Sequence, residues 1–141
     1  MKNSLRTSFK SISRNEALAR GIAAQFAMLF DPTVEELSDI RTAVSEAVTN
    51  AIVHGYGHPN GEVHLDLEAE DGLLTVAVSD FGRGIEDIEL ARRPFYTSAP
   101  ESDRAGLGFA VMEAFMDSVE VISKAGEGTR VIMKKQLSPH E

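Results

Sequence analysis

The chain of 141 residues contains no cysteine. This absence excludes disulfide scaffolds, thiolate metal sites and thiol nucleophiles. Positive charge is also scarce, because 14 Lys+Arg stand against 22 Asp+Glu, for a formal net charge of -8 at pH 7. Since binding to nucleic acid relies on clustered Lys and Arg, this balance argues against a nucleic-acid partner. No apolar run approaches the ~18 residues of a membrane span, and no signal peptide is evident, so we expect a cytoplasmic protein without a membrane partner.

What is present is an ordinary globular composition, with 43% apolar and 26% charged residues. One hydrophobic core commonly serves a chain of roughly 100 to 200 residues. No internal repeat or linker interrupts the sequence. We therefore expect a single domain over residues 1–141.

Alternating apolar and polar residues predict five strands, at 5–9, 63–67, 74–78, 119–122 and 129–133. Capping boxes at 13–16 and 33–36 predict the starts of two helices, and shorter helices are expected at 86–92 and 107–116. The second helix should end near residues 55–57, where two glycines occur. This order of elements predicts an α/β two-layer sandwich, with helices on one face of a mixed, mostly antiparallel sheet.

The familiar phosphate-binding motifs are missing. No stretch matches G-x-x-x-x-G-K-[ST], and none matches the G-x-G-x-x-G of dinucleotide-binding proteins and protein kinases. A bound nucleotide would therefore need a different geometry.

Glu46 and Asn50 lie four residues apart on the second predicted helix, so both side chains lie on one face about one turn apart. A carboxylate and a carboxamide in this arrangement can hold Mg²⁺ and activate a hydroxyl group or water. On spacing alone, a solvated helix face is the better explanation. The column that they form with Thr42 nevertheless lacks the Glu–Lys pairs typical of an exposed face.

Three glycine-containing segments follow. Asp80 to Ile85 (D-F-G-R-G-I) comes directly after a strand, where Asp80 can accept a hydrogen bond from an amino group such as that of adenine. Gly106-Leu107-Gly108 opens a helix whose N–H groups suit phosphate. Gly126 to Thr129 (G-E-G-T) enters the last strand, where Thr129 can face a ligand. Each segment taken alone is equally compatible with a simple turn or hinge.

Three histidines near the second helix suggest a metal site at first sight. His54 and His58 are four residues apart and His64 follows, but intervening glycines prevent a continuous helix through them. We interpret them as scattered surface or boundary residues. His54 is also a candidate neighbour of phosphate.

Taken together and in this order, the four segments resemble the N, G1 and G2 boxes and the terminal G-x-G-T of one ATPase/kinase superfamily. This superfamily includes gyrase, a heat-shock chaperone, histidine kinases and MutL. The stretch Ser45–Tyr56 (S-E-A-V-T-N-A-I-V-H-G-Y) narrows the resemblance to the anti-sigma serine kinases. Segments Asn15–Arg20 and Ala91–Pro94 are similar to the sporulation anti-sigma-F factors in particular. The resemblance covers residues 5–133 and implies a Bergerat-type ATP-binding fold.

The resemblance implies ATP or ADP and Mg²⁺ as ligands. It assigns Glu46 as general base and Asn50 as the Mg²⁺ ligand. It further implies that the adenine and phosphate contacts come from Asp80, Gly82, Gly84, Gly106, Leu107, Gly108 and Thr129. The stretch of about 93–105 matches the ATP lid, in which Thr97, Ser98 and Arg104 are candidates to face the phosphates.

The resemblance also implies partners. These are an RNA polymerase sigma factor (sigma-F of sporulation), held inactive, and an anti-anti-sigma protein of the STAS type that is phosphorylated on serine. Arg20 is the candidate partner contact, although an exposed helical arginine often serves only solubility. A homodimer is implied as well, and the unprotected first strand is a candidate for pairing with another chain.

Three alternatives stay open. The first is a nucleotide-gated sigma-binding module without significant kinase activity, which the presence of both Glu46 and Asn50 disfavours. The second is a stress-response anti-sigma kinase of the sigma-B type. A histidine-kinase catalytic domain is disfavoured, because that class requires a helical phosphoacceptor domain upstream.

Overall fold

The computed structural model describes residues 2–93 and 108–138. Its strands are β1 (Lys2–Lys10), β2 (Glu62–Glu70), β3 (Leu73–Asp80), β4 (Ser118–Lys124) and β5 (Gly128–Gln136). Its helices are α1 (Asn15–Ala27), α2 (Val34–Thr49), α3 (Ile88–Arg92) and α4 (Gly108–Phe115). A 3₁₀ turn, Met28–Phe30, follows α1, and a π-helical segment, Asn50–Tyr56, continues α2.

The strands form one five-stranded sheet in the order β1-β2-β3-β5-β4. Every neighbouring pair in the described part of the chain is antiparallel. The predicted two-layer α/β sandwich is thus confirmed. The register places Asp80, the last residue of β3, opposite Thr129 near the start of β5. Two segments that the sequence separates widely therefore meet at one end of the sheet.

The core lies between the helices and one face of the sheet. Alternate residues of β2 (Val63, Leu65, Leu67 and Ala69) are fully buried there or nearly so, whereas their neighbours are more exposed. Helix α2 contributes Ile40, Val44 and Val48, at helical spacing. The apolar stripes found in the sequence therefore pack against each other, and this packing fixes the end of α2 over the end of β3.

The two predicted capping boxes have different outcomes. The box at the start of α2 is confirmed, because Thr33 accepts a hydrogen bond from the Glu36 N–H at 3.0 Å and its own N–H donates to Glu36 at 2.8 Å. The box at 13–16 is wrong, since Arg14 occupies the cap position of α1 and no side chain caps it. The reason is competition: the Glu16 carboxylate accepts a hydrogen bond from the Ser45 hydroxyl at 2.6 Å.

The π-helical segment ends where the sequence predicted a break. Gly57 adopts a left-handed conformation (φ 69°), and its N–H donates to the Ile52 carbonyl at 2.9 Å. Single-turn π segments inside α-helices are rare and frequently mark functional sites. Among the described residues, no helix is both long and apolar enough to cross a membrane.

Candidate functional site

A cavity of about 560 Å³ opens where the end of α2, the end of β3 and the start of α4 meet. This volume is typical of small-molecule sites. Among its lining residues are six that the sequence analysis singled out: Asn50, His54, Asp80, Gly84, Gly108 and Thr129.

Asp80 is the most deeply buried acidic group on this wall, with 6% of its surface exposed. The Gly82 N–H donates to its carboxylate at 3.0 Å, and the Thr129 N–H also donates to it. Burial raises the pKa of Asp80, and the two N–H donors offset only part of that rise. The carboxylate is therefore held in a fixed orientation, and a donor from a ligand would relieve the cost of its burial.

The structure explains why Gly82 and Gly84, the two glycines after Asp80, carry no side chain. A Cβ on Gly82 would lie 2.0 Å from the Gly55 carbonyl oxygen, and the next N–H, that of Arg83, donates to the same oxygen at 2.9 Å. Gly84 has a φ of +70°, and a Cβ there would lie 2.1 Å from the Lys124 carbonyl oxygen. Both glycines thus let backbones meet, and Gly84 also lies on the cavity wall.

Thr129 is oriented by a residue that the sequence analysis missed. Its hydroxyl lies 2.8 Å from the Ser123 hydroxyl, which also accepts a hydrogen bond from the Ile85 N–H at 2.7 Å. Ser123 therefore links the β4–β5 hairpin to the loop after β3. A serine in an alternating strand gives no local signal for this role.

Glu46 and Asn50 differ in their surroundings. Glu46 is 2% exposed, so the expectation of a solvated helix face is wrong for this residue. The described cavity wall includes Asn50 but not Glu46, which is buried one helical turn earlier. A Cβ on Gly108 would lie 3.0 Å from the Asn50 side-chain oxygen, so glycine at the start of α4 leaves room for this carboxamide.

His54 and Arg83 line the same cavity, and Arg83 was not among the predicted site residues. Burial lowers the pKa of His54, and the positive charge of Arg83 lowers it further. Both effects favour the neutral form of His54, and Arg83 brings a cation to this wall. The only signal for Arg83 was its position between the two glycines of the D-F-G-R-G string.

Arg20 lies outside the cavity, beside a second, smaller groove of about 290 Å³. Its Nε lies 3.7 Å from a Glu16 carboxylate oxygen, and its side chain is 42% exposed. Thr49 lines both the groove and the cavity, so the two are separated by little more than the end of α2.

The remaining predicted site residues lie outside the described part of the chain. These are the five residues Thr97, Ser98, Arg104, Gly106 and Leu107. The predicted lid, about 93–105, lies outside it as well, apart from Arg93.

Comparison with solved structures supports the fold. The RsbU and RsbW domains of a Mycobacterium tuberculosis protein match with a TM-score of 0.69 and 21% identity, over 96% of this chain. This chain spans 32% of that larger one. The mycobacterial sensor histidine kinase MprB matches with a TM-score of 0.60 and 18% identity, covering 96% of this chain and 100% of the other.

Sequence comparisons are more specific. Residues 10–135 match the profile of the histidine kinase-like ATPase domain family. An anti-sigma F factor of Oceanobacillus iheyensis is 50% identical over 139 residues, which is 98% of this chain and 95% of that one. Another, of Clostridium acetobutylicum, is 49% identical over 138 residues, with 98% and 96% coverage. The chain therefore belongs to the histidine kinase-like ATPase domain family and, within it, to the family of the anti-sigma F factors.

Proposed function

We propose that this protein is an anti-sigma factor that holds a sporulation sigma factor inactive and phosphorylates an anti-anti-sigma protein of the STAS type on serine, with ATP as phosphate donor. The observation that carries the proposal is the convergence of Asn50, Asp80 and Thr129 on one cavity of about 560 Å³. Membership of the anti-sigma F factor family supports the choice of partners.

Asp80 supplies the nucleobase contact in this proposal. Its carboxylate is held by two backbone N–H donors and accepts a hydrogen bond from the adenine amino group. The Thr129 hydroxyl lies on the same wall, oriented by Ser123 at 2.8 Å. An acceptor at this position favours adenine over guanine, because guanine presents a carbonyl oxygen where adenine presents its amino group.

Asn50 fits an Mg²⁺ ligand. Magnesium prefers oxygen ligands and keeps several waters, so one carboxamide oxygen can suffice alongside phosphate oxygens. Gly108 leaves this carboxamide free to face the cavity, since a Cβ there would lie 3.0 Å from the Asn50 oxygen. When bound, Mg-ATP supplies the phosphoryl group and the charge neutralisation that its transfer needs.

Glu46 is the proposed general base. It lies one helical turn before Asn50, a position beside the proposed metal ligand from which its carboxylate would accept the proton of an attacking serine hydroxyl. The proposed roles of Gly84, Gly106, Leu107 and Gly108 are to bring backbone to the nucleotide, whereas Gly82 acts through its N–H, which holds the Asp80 carboxylate. Those of Thr97, Ser98 and Arg104 are contacts with the phosphates.

The partner surface is proposed at Arg20 and the groove beside it, which shares Thr49 with the nucleotide cavity. We further propose a homodimer that acts in the cytoplasm. The nine-residue strand β1 forms one edge of the sheet, with no second strand paired to it in the described residues. Such an edge is suited to pairing with another chain.

The decisive experiment combines Mg-ATP, a cognate anti-anti-sigma protein and either wild type or Glu46→Gln. We expect phosphoserine with wild type, and nucleotide binding without phosphotransfer in the variant. Phosphotransfer by Glu46→Gln at the wild-type rate would contradict the assignment of the base. Tight sigma binding by a wild type that phosphorylates no antagonist would instead favour a nucleotide-gated binding module.

A further inference from the structure

Helix α3 forms part of the cavity wall but is too short to be stable without contacts to other elements. It spans Ile88–Arg92, five residues, none of them buried. Isolated helices of fewer than about 12 residues are marginal in water, so a helix of this length depends on tertiary contacts. Yet Leu90 and Ala91 line the cavity, together with Asp87, which caps the helix by accepting from the Leu90 N–H at 3.0 Å.

Arg92, the last residue of α3, makes contacts that compensate for this shortness. Its Nε donates to a Glu113 carboxylate oxygen on α4 at 2.9 Å, and its terminal nitrogen contacts the same oxygen. That nitrogen also donates to the Val119 carbonyl oxygen on β4 at 3.1 Å. One guanidinium therefore joins three elements, α3, α4 and β4.

Arginine suits this contact better than lysine. A guanidinium presents several donors in a rigid plane, so it can bind a carboxylate and a carbonyl at the same time, whereas a lysine ammonium is a point charge on a flexible stem. The Arg92 side chain is 29% exposed and that of Glu113 44%, so this pair is less open to solvent than the Lys124–Glu127 pair, at 80% and 63%, and the bond from Arg92 to the Val119 carbonyl is partly buried. The carboxylate that Arg92 holds belongs to the helix that begins at Gly108, another residue of the cavity wall.

We propose that Arg92 is a positioning residue for the nucleotide cavity: through Glu113 and Val119 it fixes α3 against α4, and so fixes the wall formed by Leu90 and Ala91. Arg92 itself does not line the cavity in the described part of the chain. This inference rests on the proposed nucleotide site and adds a determinant of nucleotide affinity that acts without touching the nucleotide.

The test compares Arg92→Gln, Arg92→Lys and Glu113→Gln with wild type. The matched control is Lys124→Gln, which breaks a Lys–Glu pair at 3.1 Å in the hairpin beside the cavity, where both side chains are largely exposed. Nucleotide Kd is measured by titration with a fluorescent ADP analogue, KM for ATP and kcat by phosphotransfer, and the melting temperature of the nucleotide-free protein by calorimetry.

We expect Arg92→Gln to raise Kd and KM about tenfold, the effect of losing a charge-assisted anchor, while kcat changes by less than about twofold. Glu113→Gln should raise Kd and KM less, since the contact between Arg92 and Val119 remains. Arg92→Lys should raise them by an amount between those of Glu113→Gln and Arg92→Gln. Combining Arg92→Gln with Glu113→Gln should add little to Arg92→Gln alone. Lys124→Gln should match wild type, because exposed pairs contribute little.

Wild-type Kd in Arg92→Gln, with or without a lower melting temperature, would overturn the inference and leave Arg92 a purely structural residue. If Arg92→Gln does not fold, Arg92→Lys and Glu113→Gln decide in the same way. A wild type that binds no nucleotide would overturn the proposed function and this inference together, so the two failures are distinguishable.

Discussion

Gly55 lies directly against the carboxylate of Asp80: a Cβ on Gly55 would meet the Asp80 carboxyl carbon at 2.6 Å and both its oxygens at 2.7 Å. The π-helical segment and the end of β3 are thus in contact at the group proposed to recognise the nucleobase. Gly55 permits this contact because it has no side chain, and the position of its backbone limits where the Asp80 carboxylate can lie.

Gly55→Ala should therefore displace the Asp80 carboxylate and weaken nucleotide binding. Overpacking of a buried contact typically costs about 1–3 kcal/mol, so we expect both lower stability and lower ATP affinity. Denaturant unfolding and calorimetric titration would measure the two effects. The control is Gly21→Ala in α1, where a Cβ would meet nothing within 4 Å. It should stabilise the protein by about 1 kcal/mol and leave ATP affinity unchanged. Equal ATP affinity in the two variants would contradict the proposed role of the contact.

Asp80→Asn should change the pH dependence of both stability and binding. Because burial raises the pKa of Asp80 in the folded state, the folded protein binds more protons than the unfolded chain between the unfolded pKa and the folded one. The Asp80 contribution to stability therefore falls as pH rises through that window, and the asparagine variant should lack this component.

ATP affinity should follow the opposite trend, because the ionised carboxylate is the acceptor. Affinity should decrease as pH falls through the raised pKa of Asp80, and Asp80→Asn should weaken binding about tenfold or more at pH 7 and flatten the profile. Titration with ATP and GTP across pH would measure this. A variant that keeps wild-type preference for ATP over GTP would argue against adenine recognition by Asp80.

Gly108→Ala should weaken the binding of Mg-ATP with little effect on the stability of the fold. The added Cβ would lie 3.0 Å from the Asn50 side-chain oxygen and 3.1 Å from its nitrogen, so the carboxamide must move by a few tenths of an ångström. Asn50 is partly exposed and can yield, so we expect little change in the free energy of unfolding. Affinity for Mg-ATP should drop more than affinity for metal-free ATP, as measured by titration with and without Mg²⁺. Equal losses in the two titrations would contradict the assignment of Asn50 as the metal ligand.

Glu36→Ala should destabilise the protein in a pH-dependent manner. Burial acts to raise the pKa of Glu36, but hydrogen bonds from Thr33 and from Ser138 near the C-terminus outweigh it and lower the pKa below its ordinary value. A depressed pKa contributes stability above the unfolded pKa and loses it as pH falls through the folded pKa. We expect a loss of about 1–2 kcal/mol at pH 7 that shrinks in acid, measured by urea unfolding. Glu35→Ala, at an exposed position in the same helical turn, should show neither effect.

The sequence was sufficient for those features of the fold that depend on local patterns. The alternation through Val63, Leu65 and Leu67 predicted β2, and the pairing of Thr33 with Glu36 predicted the start of α2. The failed box at Ser13 shows the limit of such reasoning. Glu16, the glutamate of this box, instead accepts a hydrogen bond from Ser45, a residue 29 positions away, and no local pattern indicates that contact.

The candidate site also contains both residues that sequence patterns predict and residues whose contacts they do not indicate. Asn50, Asp80 and Thr129 could be found because motif spacing and family resemblance mark them, and the structure places all three on one cavity. Ser123 could not be found in this way, and although Arg83 and Arg92 lie within segments that the motifs or the resemblance cover, nothing in the sequence indicates what they contact. Their contacts run between elements that are adjacent only after folding, such as the contact of Arg92 with Glu113 across α3 and α4.

The π-helical segment between Asn50 and Tyr56 has a consequence for how this protein can vary. Every residue of a helical segment rotates the chain about the helix axis, so removing one residue would change the direction of everything after it. Gly55 would then no longer face Asp80, although every side chain of the site would still be encoded. The number of residues in this segment therefore matters as much as their identities, and natural relatives should differ here by substitution and not by insertion or deletion.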